Sequence, residues 1–398
     1  MNRELLALLR GPDGEAALAA AGEVAGGDPL TAASALRSRG VPAALAAAAL
    51  TQVDLRARAA AKFGPDASRM FFTRTGLEQA TRSVVAVRRA ARLAAHAASV
   101  ADLGCGIGAD ALAFARAGLR VHAVDTDPLT AAVAAANAAA LGLADRVTVS
   151  TVDAQALPLA GFDAVFCDPA RRTGTGRRVF DPAAFAPPWT FVAGLADRVP
   201  RTVLKLAPGI DHALLPAGAE AEWVSVDGDL VEATVWCGPL ALVPRRATVL
   251  RAGVAHELTG TGSERAPVSR VRRWLYDPDS AVVRAGLVAE FASGVGGALA
   301  DPSIAYVYAD SAVPTPFARC YEVLDALPFS VKRLRAVLRA RGVGRVTLTK
   351  RGSAVDVERL RRDLRLSGTG SMVVALTRVA DAPTALLCAP AVAFTGTG

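Results

Sequence analysis

The stretch "VADLGCGIGADALAFARAG", residues 100–118, decides the fold. Its apolar start predicts a buried strand that ends at Asp102, and "ADALAFARAG" predicts a helix that begins near Ala109. Residues 104–108 between them predict a sharp turn, because glycine adopts positive φ and lets backbone approach a ligand closely. The N-terminus of the following helix favours negative charge. The stretch therefore predicts a ligand site at the end of the first strand.

The residues that follow repeat this pattern of strand and helix. "RVHAVDTD", "RVTVSTVDAQ", "FDAVFCDPA" and "RTVLKLAPG" are short apolar runs, and helical stretches such as "PLTAAVAAANAAALG" separate them. This alternation predicts a parallel sheet with helices on both faces. "AEWVSVDGDLVEATVWCG" then predicts two strands joined by the turn "DGD". Residues 100–240 are thus predicted to form an α/β sheet that finishes in an antiparallel hairpin.

The regions on either side have a different character. Residues 1–95 predict helices, with apolar residues at three- and four-residue spacing, and the region after Pro239 predicts a compact α+β unit. In that unit "ALVPRRATVLRAG" and "AHELTG" predict a short β segment, and residues 276–296 predict one helix. The predicted parts are an N-terminal helical region, a central domain, a linking α+β segment and a C-terminal domain, at 1–95, 96–240, 241–326 and 327–394.

Composition describes a soluble globular protein of two or three domains, with 398 residues, 52% of them hydrophobic and 21% charged. The net charge of +8 is uneven. Residues 1–240 contain 23 basic and 24 acidic residues, whereas residues 241–398 contain 22 basic and 13 acidic residues. Basic halves of this kind often contact phosphate, and a solvated face in an arginine-rich chain is the alternative interpretation.

Several classes of protein are disfavoured by the sequence. The five cysteines form no CxxC pair and the four histidines no HxxxH pair, so we expect no metal site and no disulfide framework. Charged residues, Gly and Pro interrupt the first 27 residues, which predicts neither a signal peptide nor a spanning helix. We therefore expect a cytoplasmic protein that does not bind membranes.

Acidic residues end four predicted strands, at Asp102, Asp125, Asp153 and Asp168. Ligands of parallel sheets bind at these carboxyl ends. The glycine pattern also fits a dinucleotide fingerprint. However, Asp102 would repel a pyrophosphate, whereas it would neutralise the cationic methionine part of S-adenosylmethionine. The third glycine tightens the turn, and Asp153 with Ala154 would meet the adenine edge.

S-adenosylmethionine is therefore the predicted cofactor, and a nicotinamide cofactor or a domain that binds neither remains an alternative. The predicted cofactor-binding residues are Asp102, Gly104, Cys105, Gly106, Gly108, Asp125, Thr126, Asp153, Ala154 and Asp168.

Residues 100–170 resemble a class I S-adenosylmethionine-dependent methyltransferase. The wider pattern is similar to bacterial methyltransferases with a C-terminal THUMP-like domain, through "FFTRTGLEQATRSVVAVRRA", "DPARR" and "LPFSVKRLRAVLRARGVGRVTLTKRG". The resemblance covers nearly the whole chain. It implies a Rossmann-like seven-stranded sheet, an N-terminal helical region, and a ferredoxin-like segment followed by a THUMP-like domain. THUMP domains proper bind RNA.

The "DPARR" motif, which begins at Asp168, resembles the [D/N]-P-P-[Y/F/W] motif of amino-methyltransferases. There the acid and a backbone carbonyl hold an exocyclic amine toward the methyl group. Asp168 and Pro169 match, but Ala170 and Arg171 depart from the motif, and the missing aromatic residue argues against N6-adenine methylation. The resemblance implies Asp168, Pro169 and Arg171 as catalytic residues. Arg171 and Arg172, extended by Arg177 and Arg178, either bind a phosphate or pair with acids of a neighbouring domain.

Other residues near these strand ends have two interpretations each. Carbon-5 pyrimidine methylation needs a cysteine nucleophile, and "LKLAPGID" contains none. Lys205 in that stretch either lines the pocket or packs its stem. Glu78, Gln79 and Thr81 either close over the cofactor or acceptor, or simply begin a helix.

The basic C-terminal helices predict phosphate contacts with structured RNA. The predicted RNA-binding residues are Arg172, Arg335, Arg339, Lys350, Arg351, Arg361 and Arg362. Three hypotheses follow: an RNA methyltransferase, a small-molecule or protein methyltransferase with a structural C-terminal domain, and a module that binds cofactor without catalysis. The "DPA" motif favours the first hypothesis over the third, and the basic C-terminal half favours the first over the second.

Overall fold

The structure, a computed structural model, describes residues 1–171 and 185–391, except for the side chain of Arg171. Its α-helices are α1 Arg3–Leu9, α2 Pro12–Glu23, α3 Pro29–Ser38, α4 Ala43–Phe63, α5 Arg74–Gln79, α6 Ser83–Ala94, α7 Ala109–Arg116, α8 Pro128–Ala140, α9 Trp189–Ala193, α10 Leu195–Arg198, α11 Ser280–Ala285, α12 Val288–Gly294, α13 Val331–Ala340 and α14 Val357–Leu364.

The strands are β1 Ser99–Leu103, β2 Arg120–Asp125, β3 Val147–Thr151, β4 Ala164–Cys167, β5 Ala170–Arg171, β6 Phe185–Ala186, β7 Thr202–Leu206, β8 Glu220–Val226, β9 Asp229–Trp236, β10 Arg245–Arg251, β11 Val254–Gly260, β12 Trp274–Pro278, β13 Ala298–Leu299, β14 Val307–Ala309, β15 Ala318–Pro328, β16 Val343–Lys350, β17 Gly370–Val379 and β18 Ala382–Cys388.

The large sheet has the strand order β3-β2-β1-β4-β7-β9-β8-β10-β11. Its first five strands pair in parallel, and a tight turn at Asp227-Gly228 joins β8 to β9. The predicted Rossmann-like α/β sheet is therefore confirmed. The predicted short β segment forms β10 and β11, which extend the seven expected strands: β10 pairs in parallel with β8, and β11 pairs antiparallel with β10.

Local sequence explains the elements around the predicted site. All five residues of β1 are buried, as expected for a strand covered on both faces. Asp127 caps α8 by accepting a hydrogen bond from the Thr130 amide at 3.0 Å, and Pro128 occupies the first turn. These signals fix where α8 begins, separated by two residues from the carboxyl end of β2.

The N-terminal region is helical, as predicted, and its apolar faces join the core of the central sheet. Leu9, Leu36 and Leu55 belong to the same buried cluster as Phe114 of α7 and Val133 of α8. The helices α1 to α6 therefore share one core with the sheet that carries the glycine loop, rather than forming a separate core.

The second sheet has the order β13-β14-β12-β15-β18-β17-β16. Helix α14 connects the parallel strands β16 and β17, and a turn at Ala380-Asp381 connects the antiparallel strands β17 and β18. Leu334 and Leu338 of α13 and Leu360 and Leu364 of α14 are buried in one apolar cluster beside this sheet. The basic residues of both helices consequently lie on the faces turned away from this cluster.

The chain divides into two compact units. One contains residues 1–206, 212–219 and 235–241, and the other contains 207–211, 220–234 and 242–398. The four-part division stays a prediction. The helix predicted over 276–296 was wrong in extent: the structure has strand β12, then α11, a left-handed Gly286 with φ 78°, and α12. The five cysteine side chains are all buried and free.

Candidate active site

The glycine loop after β1 adopts the backbone that its sequence predicts. Gly104, Gly106 and Gly108 have φ values of 85°, 55° and 87°, in the left-handed region that disfavours other residues. A Cβ atom at Gly104 would lie 2.9 Å from the carbonyl oxygen of Asp168. The Asp168 amide donates to the Leu103 carbonyl at 3.2 Å. The loop and the "DPA" motif are therefore in direct contact.

Asp102 lies beneath this loop and is fully buried. Among the described residues, neither of its carboxylate oxygens has a hydrogen-bond partner. Burial, followed by the charges of Asp110 and Asp168, raises the pKa of Asp102 well above its ordinary value. A buried acceptor without a partner is rare in folded proteins and marks a position where a ligand donor is expected.

The next two strand ends present two further carboxylates. Asp125 accepts hydrogen bonds from the amides of Gly106 at 3.1 Å and Asp127 at 2.9 Å, and burial raises its pKa. The neighbouring Thr126 is exposed. Asp153 accepts from the Gln155 amide at 2.8 Å, so it orders the turn that begins at Ala154, whose side chain is buried.

Asp168 follows β4 at the open end of the sheet. Its Oδ2 atom lies 2.5 Å from Nζ of Lys205 in β7, and the two side chains are 34% and 13% exposed. Pro169 is buried, and Ala170 and Arg171 form β5, which pairs with β6. Lys205 therefore lies beside Asp168 in an ion pair, whereas the side chain of Arg171 and the whole of Arg172, Arg177 and Arg178 lie outside the described residues.

An upstream segment packs over the glycine loop. Asn137 of α8 donates to the carbonyls of Ile107 at 2.9 Å and Phe71 at 3.1 Å, and accepts from the Phe71 amide at 2.7 Å. A Cβ atom at Gly76 would overlap the Ile107 side chain. Lys62 of α4 donates to three carbonyls of the segment "LEQA". These are the carbonyls of Leu77, Glu78 and Ala80, at 2.7, 2.8 and 3.0 Å.

Thr81 belongs to a buried polar network rather than to an exposed helix start. Its hydroxyl donates to Asp110 Oδ2 at 2.6 Å, and Arg89 NH1 donates to Asp110 Oδ1. The Arg89 guanidinium also lies 4.9 Å from the centre of the Phe166 ring. The network ties α6 to α7. By contrast, Glu78 and Gln79 are exposed.

The two cysteines near the site pack as buried side chains. The pKa values of the Cys105 and Cys167 thiols are raised well above the ordinary value, mainly by burial. Since the thiolate is the nucleophilic form, neither residue suits covalent catalysis.

Most of the basic residues predicted to contact RNA have partners within the protein. Arg335 and Arg339 of α13 donate to the carbonyls of Asp363 and Arg365 at 2.5 and 2.7 Å. Arg351 pairs with Asp277 at 2.7 Å. Lys350 donates to the Val355 carbonyl at 2.8 Å but remains exposed. Arg361 and Arg362 are also exposed, and Arg361 forms a surface pair with Glu358 at 3.0 Å.

Two negative findings apply to residues 1–171 and 185–391. In those ranges, no cluster of three or more His, Cys, Asp or Glu side chains is arranged to hold a metal ion. None of the helices there is both long and apolar enough to cross a bilayer.

The site fits S-adenosylmethionine on two structural grounds. The orphaned Asp102 carboxylate offers acceptors for an ammonium group and would oppose a pyrophosphate. The left-handed Gly104, Gly106 and Gly108 add no side chains to the turn, and the side chains of Cys105 and Ile107 are buried. Asp125 ends β2 and the turn at Asp153 follows the adjacent strand β3, at the carboxyl ends where ligands of parallel sheets bind.

Comparisons with known proteins support S-adenosylmethionine as the cofactor. Residues 100–174 match the family model of a methyltransferase domain, 318–390 match a THUMP domain-like model, and 2–59 match a domain of unknown function. An uncharacterized S-adenosylmethionine-dependent methyltransferase of Mycobacterium tuberculosis is 37% identical over 356 residues, which cover 84% of this chain and 95% of that protein. The crystal structure of a candidate methyltransferase from Porphyromonas gingivalis superposes with a TM-score of 0.71 at 23% identity, covering 87% of this chain and 91% of that one.

Proposed function

We propose that this chain, which belongs to the family of S-adenosylmethionine-dependent methyltransferases, methylates a base of structured RNA such as ribosomal or transfer RNA. The observation that carries the proposal is the contact between the glycine loop and Asp168. This contact brings the cofactor cradle and a strand-end carboxylate within one small region. The THUMP domain-like match supports RNA as the substrate class.

The residues of the chain have distinct parts in the proposed reaction. Asp102 would hold the methionine ammonium, and Asp125 and Asp153 would hold the ribose and adenine. S-adenosylmethionine supplies a methyl group on a sulfonium: transfer forms an N–C bond, breaks the S–C bond and leaves a neutral thioether. Asp168 and its backbone carbonyl would accept hydrogen bonds from the acceptor amine, so that its lone pair points at the methyl group. The amine then loses a proton, which Asp168 would pass to water.

The basic C-terminal region supports RNA over a small molecule. Residues 241–398 carry 22 basic and 13 acidic residues, and Lys350, Arg361 and Arg362 expose their side chains. Exposed cations attract a phosphate backbone at low salt. Arg335, Arg339 and Arg351 bond to partners far away in sequence, whereas the partners of Lys350 and Arg361 lie within five residues, so we assign the first contacts with RNA to Lys350, Arg361 and Arg362. Arg171 and Arg172 remain proposed contacts of the acceptor phosphate.

A transfer assay tests the proposal. The purified full-length chain is incubated with S-adenosylmethionine that carries a tritiated methyl group, and with separate RNA, protein and small-molecule fractions from cells lacking the gene. Asp168→Ala is the inactive variant, and Asp145→Ala, an exposed aspartate in a turn, is the matched control. We expect label in RNA with the unchanged protein and Asp145→Ala, and none with Asp168→Ala.

Each alternative result has a defined meaning. Digestion of labelled RNA to nucleosides identifies the base and atom. Label confined to protein or small molecules contradicts the RNA proposal. Label in RNA that persists with Asp168→Ala contradicts the assignment of Asp168.

A further inference from the structure

Lysine is scarce in this chain, and two of its lysines, Lys62 and Lys205, hold residues of the candidate active site and of the segment above its glycine loop. Only four of the 45 basic residues are lysines. Lys62 and Lys205 both lie in the first compact unit, and the Lys205 charge contributes to lowering the Lys62 pKa, after burial. The Lys205 ammonium therefore acts on two charged groups: it contacts Asp168 and is near enough to Lys62 to affect its pKa.

The backbone itself brings Lys205 to Asp168. Strands β4 and β7 are parallel neighbours, and Cys167 is in register with Leu204. The next residue on each strand is therefore Asp168 on one and Lys205 on the other. Their side chains meet at 2.5 Å between Oδ2 and Nζ, in a place where the lysine is largely shielded from water. A partly buried pair of this kind is screened less than a surface pair.

We propose that Lys205 is a positioning residue that keeps the Asp168 carboxylate ionised and oriented, and thereby restricts the acceptor to a nitrogen that carries a hydrogen. This inference rests on the proposed function. An ionised carboxylate has no proton to donate, so it accepts hydrogen bonds only. A base nitrogen without hydrogen, or a ring carbon, offers nothing to such a group. The amino groups of adenine, cytosine and guanine, together with the ring N–H groups of guanine and uracil, are therefore the selected class of acceptor.

The charged groups around the pair are consistent with this assignment. Asp102 and Asp168 repel each other, and Asp110 adds negative charge, whereas Lys205 and Arg89 oppose it. Lys62 is held by three backbone carbonyls and has Arg82 and Glu78 as its other charged neighbours. Lys205 is accordingly the described cation in direct contact with Asp168 and offsets the carboxylate cluster beneath the loop.

The choice of lysine over arginine fits the same role. An ammonium is a point charge that occupies one carboxylate oxygen, whereas a guanidinium fork tends to occupy both oxygens at once. Lysine at position 205 therefore occupies one oxygen of Asp168 rather than both. Arginine at this position should preserve the charge effect and impair substrate binding.

Rate constants measured against pH test the proposal. Single-turnover transfer of tritiated methyl to the labelled RNA is followed from pH 5 to 9 for the unchanged protein, Lys205→Met, Lys205→Arg and Asp168→Ala. Arg37→Met, which removes an exposed cation of α3 outside the basic C-terminal region, is the matched control. Cofactor affinity is measured separately for every variant by calorimetry.

We expect Lys205→Met to lower the rate constant by about 10- to 100-fold. Its activity should also be lost at a higher pH on the acid side, because the charge that favours the ionised carboxylate is gone. Cofactor affinity should change less than about threefold. Lys205→Arg should restore the acid side of the profile while the RNA concentration that gives half the maximal rate constant rises, and Arg37→Met should match the unchanged protein.

Other outcomes overturn the inference or its premise separately. An unshifted acid side in Lys205→Met, or a cofactor affinity that falls as much as the rate, overturns the role of Lys205. If Lys205→Met does not fold, Lys205→Arg decides: a shifted acid side in that folded variant also overturns it. Full activity of Asp168→Ala instead contradicts the proposed function, on which the inference depends.

Discussion

At the scale of single residues, the buried carboxylate of Asp102 lowers the stability of the folded protein, and its proposed role is to bind the cofactor. Its carboxylate is buried and lacks a partner among the described residues, and burial raises its pKa well above the ordinary value. The folded protein therefore holds this proton more tightly than the unfolded chain. It follows that the free energy of unfolding decreases as pH rises from about 4 through the raised pKa.

Asp102→Asn should separate stability from binding. Without cofactor, the variant should be about 1–2 kcal/mol more stable than the unchanged protein at pH 8, since no charge is buried, and the difference should vanish at low pH. Urea denaturation at pH 5 and 8 measures this effect. An apo variant that is less stable at pH 8 would show that the carboxylate has a stabilising partner.

Cofactor binding should respond in the opposite direction. Removal of one member of a buried charged pair costs about 2–5 kcal/mol, so Asp102→Asn should bind S-adenosylmethionine at least about 30-fold more weakly. In the unchanged protein, affinity should fall on acidification as Asp102 takes up its proton, and the Asn variant should lose that dependence. Calorimetric titration across the pH range measures both, and equal affinities contradict the assignment.

At the scale of elements, the glycine loop and the α6–α7 contact hold the site together. Both were only partly predictable. The glycine spacing and the acids at strand ends are local signals, and they were sufficient for the loop and for β1 to β4. Lys62 and Asn137 act on residues far away in sequence, so no local pattern reveals them. Lys205 had two interpretations from sequence, and its pairing with Asp168 was not among them. The pairing of β10 with β8 is likewise nonlocal, and Gly286 interrupts a helical pattern whose composition alone predicts continuity.

Gly104→Ala tests the contact between the loop and Asp168. Position 104 has φ 85° and its Cβ would approach the Asp168 carbonyl at 2.9 Å, whereas Gly118 has φ 98° with open space around it. Both alanine variants should lose about 1–2 kcal/mol of stability from the left-handed backbone. Only Gly104→Ala should also weaken cofactor binding, by about tenfold or more. Similar binding by the two variants would mean that the close approach has no function.

Arg89→Met tests the network that joins α6 to α7. The substitution leaves Asp110 buried without its cation, so the free energy of unfolding should fall by about 3–5 kcal/mol. Thr81→Val should cost about 1–3 kcal/mol. Urea denaturation measures both, and Arg89→Met with Asp110→Leu should recover much of the loss. A small effect of Arg89→Met alone would show that the pair contributes little.

At the scale of the whole molecule, acidic and basic residues nearly balance over residues 1–240 and do not balance over residues 241–398. The excess of positive charge lies after residue 240, where the THUMP domain-like match also lies. Composition predicted this asymmetry, but it did not predict which side chains bond to distant parts of the chain. Arg335 and Arg339 were indistinguishable in sequence from Arg361 and Arg362, yet the first two connect α13 to the end of α14.

Substitution of exposed arginines tests the proposed RNA surface. Arg361→Gln with Arg362→Gln should weaken RNA binding and reduce the slope of log affinity against log salt by about 1–2. Arg37→Gln with Arg39→Gln is the matched control, because those residues are also exposed and Arg39 likewise forms a surface ion pair. Filter binding at several salt concentrations measures the slopes. Equal slopes for both pairs would locate the RNA contacts elsewhere.

The buried cysteines make the native protein its own conformational reporter. In the folded chain all five thiols are shielded from solvent, and burial raises the pKa of Cys237 to about 11 and that of Cys388 to about 12. Alkylating reagents that attack thiolates should therefore ignore the folded state and label each thiol when its surroundings open. Mass spectrometry of pulse-labelled protein would then give local opening rates around β1, β4 and β18 without any engineered probe. A fluorophore attached to one added surface cysteine would report on the molecule against a silent background.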